Sequence, residues 1–336
     1  MPSSTSSSSA RVLLGALAIF VVIAGALELS WRRLGYVPSI LDNMERWSAE
    51  RDRAGPGTIA LVGSSRVLFN VSIPTLRRRY PGRPVAQLAI GGTFAAAVLR
   101  DLALDPDFDG AVIASMLALA FEPAYLDSQQ RWVDYYHEEW NTERRLGRHI
   151  RTELASRLAL MNPTLSTRRL GWERFEKGRW LPDRWLVFNR DRSVSADFSL
   201  HSVSKSSVRM LAKARYEKRQ VSSPGAWLEA TDAVERWIEQ IQARGGRVAI
   251  VRFPTSGAHW EFDEKAYPRK RYWDRFAART SALTLHFRDV SALASFRLPD
   301  ASHVDFRRAP AFTGALLDAL EARGFSPPPP RASRVP

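Results

Sequence analysis

Five short apolar runs, separated by stretches of helical periodicity, constrain the fold of this chain more than any other feature. Residues 58–62 (TIALV) lead straight into Gly63-Ser64-Ser65, and residues 85–90 (VAQLAI) close on Gly91-Gly92. Residues 111–116 (AVIASM), 247–253 (RVAIVRF, closing on Pro254) and 283–290 (LTLHFRDV) complete the set. Runs of this length that are nearly continuous in apolar residues are characteristic of strands covered on both faces. Helical patterns fall at 94–104, 226–243, 264–282 and 309–323. In the second, Trp227, Ala230, Val234, Trp237 and Ile241 recur at three- and four-residue steps, and in the last Phe312, Leu316, Leu317 and Leu320 share a face. The alternation predicts an α/β protein, a three-layer doubly wound parallel sheet.

The remaining segments organise around that sheet. The expected division is an N-terminal segment 1–33, a polar helical stalk 34–56 ending at Gly55-Pro56-Gly57, a main domain 57–325 and a disordered proline-rich tail 326–336. Residues 122–225 are rich in Trp, Tyr and Arg and poor in strand pattern. They interrupt the alternation between the third and fourth runs, as a largely helical insertion serving either as a cap or as a docking surface. Before the stalk, an unbroken apolar run from Val12 to Leu27, flanked by Arg11 and by Trp31, Arg32 and Arg33, is near the minimum for crossing a bilayer. A single uncleaved transmembrane anchor is the first expectation. Ala24-Gly25-Ala26 also has the small-x-small form of a signal-peptidase site, and a buried core helix is the third reading, disfavoured by the lack of a polar face.

Composition narrows the function classes. The formal charge of +14 calls for an anionic partner to be considered. The basic residues are spread along the whole chain and are mostly Arg, without a lysine-rich tail or zinc-finger spacing, so no nucleic-acid partner is expected. Cysteine is absent, which removes disulfides, thiolate metal sites and a cysteine nucleophile. His137, His149, His201, His259 and His286 lack metal-ligand spacing, and neither a metal nor a cofactor is expected. Trp132, Tyr136 and Trp140 recur at four-residue steps, a pattern of helix packing or, alternatively, a sugar-stacking platform.

Ligands of open α/β sheets sit beyond the carboxyl ends of the strands, where the chemically informative residues of this chain collect. Ser65 follows the first strand, Gly92 the second, and Asp300-Ala301-Ser302-His303 lies between the last strand and the last helix. A serine hydroxyl needs a base to take its proton. His303 could be that base, with Asp300 holding its other ring nitrogen, and the backbone N–H groups of Ser65 and Gly92 are the natural oxyanion donors. Arg66, Ser115 and Arg252 sit near the same edge as candidate substrate-binding residues. Each has a plainer alternative: Ser65 or Ser64 as a turn serine, Asp300 as a helix cap, Asp305 as a solvated side chain, the glycines as tight-turn residues, the arginines as surface charges. A phosphate-binding role for the glycine turns is weak, since neither GxGxxG nor GxxxxGK[ST] follows either strand.

Gly63-Ser64-Ser65 resembles the first block of the SGNH/GDSL hydrolases, Leu88-Ala89-Ile90-Gly91-Gly92-Thr93 the second, and Asp300-Ala301-Ser302-His303 the last, in the family's order along the chain. The resemblance implies Ser65 as nucleophile, Asp300 and His303 as its triad partners and Gly92 as oxyanion glycine. One block departs: where the family places an Asn after the third strand, this chain reads Ala114-Ser115-Met116-Leu117. By analogy with membrane-anchored esterases and acyltransferases of envelope polymers in that family, the resemblance implies a single-pass inner-membrane protein whose catalytic domain is periplasmic. Its expected partner is an acylated polysaccharide or lipid-linked glycan, with a membrane-bound acyl-donor protein as a further candidate. A non-catalytic envelope-glycan binding or assembly protein of the same fold is the alternative.

Overall fold

The computed structural model describes residues 5–216 and 221–328. Its strands are β1 (Ile59–Val62), β2 (Val85–Gln87), β3 (Ala111–Ser115), β4 (Leu186–Phe188), β5 (Val194–Ala196), β6 (Arg247–Arg252) and β7 (Leu283–His286). Five of them form one sheet in the order β2-β1-β3-β6-β7, and every pairing is parallel. The chain winds outward from β1 to β2, returns to β3 on the other side, and continues to β6 and β7. This is a doubly wound sheet with its switch point between β1 and β3.

Side chains alternate across the strands, so each strand feeds two cores. Ala60, Val62, Val112, Ala114, Val248 and Ile250 pack on one face with Leu99 of the helix Ala96–Leu104 and with Trp227, Val234 and Ile238 of Pro224–Ala243. Ile59, Leu61, Ile113, Ala249, Val251 and Leu285 pack on the other face, against Val67, Leu76, Phe312 and Leu316. Those four belong to Ser65–Asn70, Ile73–Arg79 and Ala309–Glu321. The expected three layers are therefore present, and the stripes at 226–243 and 309–323 are the faces they bury.

Several boundaries differ from the sequence expectation for identifiable reasons. β7 stops at His286 because β6, its partner, has no residue left to pair beyond Arg252, and His286 Nδ1 accepts the Arg288 amide to start a tight turn. The helix expected over 264–282 divides into Gly257–Ala266 and Trp273–Ala277. Pro268 lacks an amide donor and disfavours helical geometry at the residue before it, and Tyr267 accordingly leaves the helix at φ −129°.

Residues 34–56 do not form a free stalk. The helix Met44–Arg51 is capped by Asn43, and Trp47 is fully buried in the core, its indole N–H donating to the Leu88 carbonyl at 2.9 Å. Arg51 is paired with Asp101 and Asp105 at 2.5 and 2.7 Å. Trp132 and Tyr136 meet Trp47 edge-on, at 6.5 and 6.2 Å, so that aromatic stripe serves packing. Insertion 122–225 is mostly helical, with one antiparallel β4–β5 hairpin. Of the expected tail, residues 329–336 lie outside the described residues. Residues 326–328 are held: Pro327 is buried, and Arg83 donates to the Pro327 and Pro328 carbonyls.

One helix, Thr5–Arg33, precedes the domain, and its Ser9–Arg33 portion is long and apolar enough to cross a membrane. Val12, Phe20 and Val22 are each more than half exposed, which removes the core-helix reading. Its carboxyl end is clasped by the insertion. Glu28 accepts the amides of Ala159 and Leu160 at 3.0 and 2.7 Å, Arg32 donates to the Arg157 carbonyl, and Tyr36 donates to that of Pro182. Because Met44–Arg51 is a core element, Trp47→Ala is expected to lower the unfolding free energy by about 3–5 kcal/mol in urea titrations. A detached stalk would leave it unchanged.

Candidate active site at the carboxyl edge of the sheet

The turn out of β1 depends on a glycine. A Cβ on Gly63 would stand 2.5 Å from Val67 Cγ2 and 3.1 Å from Ser115 Cβ, so a larger residue would push the following helix away from β3. Ser64 is the residue before that helix, yet its side chain makes no capping hydrogen bond, leaving the plain turn-serine role unfilled. Ser65 opens the helix. Beyond β2 the ladder continues as Leu88 donates to Leu61 and Ile90 to Gly63. The chain then turns at Gly92, which has φ +79°, a conformation that favours glycine. Gln129, fully buried, ties the two turns together by donating to the Gly63 carbonyl and to Thr93 Oγ1, each at 2.9 Å. Among the described residues the N–H groups of Ser65 and Gly92 donate to no protein acceptor.

Asp300 does two jobs at once. Its Oδ1 accepts the amides of Ser302 and His303 at 3.0 and 2.8 Å, the capping role, while Oδ2 pairs with His303 Nδ1 at 2.6 Å. The loop closes on itself through Ala301 in a left-handed conformation, φ +66°, an uncommon strain for a residue with a Cβ. Burial pushes the Asp300 carboxyl up, but the hydrogen bond and charge of His303 and the two amides outweigh it and hold the carboxyl below its ordinary value. With Nδ1 fixed by the carboxylate, His303 Nε2 is the free ring nitrogen, and it is buried without a hydrogen-bond partner.

The Ser65 helix is fastened to this loop. Asn70, fully buried at the helix end, accepts the Val304 amide at 2.9 Å and donates to the Ser302 carbonyl at 3.3 Å. Phe69 stacks on the His303 ring with centroids 4.3 Å apart. Ser65 lies four residues before Phe69, on the same helix face, and lines the same cavity as His303. Ser65, Arg66, Gly92, Ser115, Asp300 and His303 all line one cavity of about 430 Å³, within the range of small-ligand sites. Among the described residues no hydrogen bond joins Ser65 to His303, whose Nε2 is without a partner.

The insertion supplies the far wall, through Trp185, His201, Val208, Leu211 and Arg215, so part of it is a cap over the cavity. Arg252 is not on that wall. Buried, it pairs with Asp263 and donates to Thr255 Oγ1 and the Phe253 carbonyl, so it holds the β6 turn rather than a ligand. Asp305 is likewise engaged, accepting the Phe198 and Arg307 amides. His259 is buried and lines the cavity. Asn70, Gln129 and Phe69 carry no recognisable signal in the sequence, since each acts on a partner far along the chain.

Comparison of the chain with protein-family models and with curated protein sequences gives no significant match.

Burial, together with the positive charges of Arg215 and Arg66, pulls His259 from 6.5 down to about 4. The folded state thus favours neutral His259. Its contribution to stability is full above pH 6.5 and is lost as pH falls towards about 4, because the unfolded chain binds the proton first. His259→Gln should flatten the fall in melting temperature across that window. An unchanged slope would contradict the assignment.

Proposed function

We propose that this chain is a membrane-anchored serine esterase or O-acyltransferase acting on an acylated envelope glycan or lipid from the extracytoplasmic side. The observation that carries the reading is the buried, unpartnered Nε2 of His303, whose Nδ1 is held by Asp300, in the cavity that also receives Ser65. In the proposed reaction Ser65 Oγ attacks the acyl carbonyl as His303 Nε2 takes its proton. The amides of Ser65 and Gly92 receive the oxyanion. The ester's alcohol leaves with the proton from His303, and the Ser65 acyl ester remains. Water or an acceptor hydroxyl then attacks that ester, giving its proton to His303, which returns it to Ser65 as the acyl group departs.

The order of the three sequence blocks resembling SGNH/GDSL hydrolases supports the same reading, and the apolar N-terminal helix supports the anchor. Ser115, facing the cavity where that family has an Asn, is the candidate third donor. It also motivates a second reading, a non-catalytic glycan-binding or assembly protein of the envelope, because a hydroxyl on β3 is a shorter donor than an amide side chain. A serine-directed fluorophosphonate should label the wild-type chain and spare Ser65→Ala, with His303→Ala labelled at least about a hundredfold more slowly, as loss of a general base requires. Equal labelling of all three would remove the catalytic reading and leave the binding one.

A further inference from the structure

The cavity contains a cation that no carboxylate among the described residues pairs with. Arg66, next to Ser65 in the chain, is only 6% exposed and lines the cavity. Its Nε is buried without a hydrogen-bond partner, and among the described residues no carboxylate pairs with its guanidinium. The groups that favour its charge, Tyr216 and Asp263, are already committed: the Tyr216 hydroxyl donates to Asp263 at 2.7 Å, and Asp263 pairs with Arg252. The carboxylate that does line the cavity, Asp300, is occupied by His303 and two amides. Arg215 adds a second guanidinium to the same wall, and His259 Nδ1 is buried there without a partner.

A buried ion without a counterion is destabilising in general, and a fold under selection for stability alone would replace it with an apolar side chain. Burial and the neighbouring charges of Arg252 and Arg215 pull the Arg66 guanidinium down to about 9, still charged at neutral pH and responsive to a compensating anion. The guanidinium is also a fork of donors matched to the two oxygens of a carboxylate or phosphate.

We infer that Arg66, with Arg215, forms an oxyanion-binding subsite beside Ser65, so that the ester handled here carries a carboxylate or phosphate close to the scissile bond. This deepens the esterase reading and rests on it for the word ester, but the anion site itself does not. The negative group enters the cavity, takes the free donors of Arg66, and places the neighbouring carbonyl over Ser65. His259 stays neutral and offers its ring as a hydrogen-bond partner to the same group. The anion could belong to the acyl part or to the alcohol part of the ester, and the two positions are separable by substrate.

The test uses the full chain in detergent. Inorganic phosphate should raise the melting temperature of the wild type and of Ser65→Ala, but not of Arg66→Met. Without ligand, Arg66→Met should melt above the wild type, since it removes an uncompensated charge, and Arg66→Lys should keep part of the phosphate response. Two ester pairs locate the anion: 4-nitrophenyl hydrogen succinate against 4-nitrophenyl butyrate for the acyl side, and 2-acetoxybenzoate against phenyl acetate for the alcohol side. The anionic member of one pair should be favoured, and Arg66→Met should reduce that kcat/KM ratio by at least about tenfold. If no ester is turned over yet phosphate still stabilises the chain through Arg66, the anion site stands and the esterase reading falls. Phosphate protection that survives Arg66→Met, or no protection of the wild type, overturns the subsite. So does an Arg66→Met chain that melts well below the wild type, which would make Arg66 a structural residue.

Discussion

Five parallel strands send all their carboxyl ends to one edge, and the rest of this structure depends on that constraint. Parallel pairing requires a crossover after each strand, so each of β1, β2, β3, β6 and β7 delivers a loop to the same side. Residues 65, 92 and 303 follow strands of the same sheet and Ser115 ends one, so these distant positions line one cavity. The two cores above and below the sheet hold the five strands whose carboxyl-end segments share one cavity.

Within that frame, short polar contacts convert nearness into geometry. Asn70 is the principal fastener: one amide side chain satisfies the backbone of the Asp300–His303 loop on one side while belonging to the Ser65 helix on the other. Asp300 combines loop closure with ring orientation, so the conformation that builds the loop is the conformation that fixes the histidine tautomer. Gln129 brings the insertion into the same arrangement through the turns after β1 and β2. A cap joined to the turns it covers can hold a cavity wall without a large interface of its own.

The sheet was legible because its signals are local. An apolar run of strand length ending on glycine reads the same way in any context, and 226–243 and 309–323 show their buried faces in the spacing of Trp227, Val234, Phe312 and Leu316. The boundaries that moved did so for local reasons given too little weight, with Pro268 ending one helix, or for tertiary reasons that no spacing reveals, with β7 losing its partner after His286. Residues 34–56 misled because their helix is polar in composition; the Leu88 carbonyl that Trp47 reaches and the carboxylates that neutralise Arg51 come from elsewhere in the chain. At the site, Ser65, Gly92, Ser115, Asp300 and His303 could be found from their positions at strand ends. Arg66 and Arg252 looked alike in sequence, but Arg66 lines the cavity without a carboxylate partner among the described residues, while Arg252 lies off that wall, paired with Asp263.

That asymmetry links stability to the proposed chemistry. Stability would be served by pairing every buried charge, and this cavity instead retains, among the described residues, a guanidinium without a carboxylate and an unpartnered His303 Nε2, with a strained Ala301 in the loop that carries that histidine. Concentration of such costs in one cavity is characteristic of functional sites. The central claim, that Ser65 and His303 act as a pair, is tested most directly by a crystal structure of the chain reacted with a phosphonate ester. The account predicts a bond from phosphorus to Ser65 Oγ, the phosphonyl oxygen on the amides of Ser65 and Gly92, and His303 Nε2 about 2.6–3.2 Å from Ser65 Oγ or the ester oxygen. An adduct on another residue, or an imidazole turned away with protein packed between it and Ser65, would contradict it.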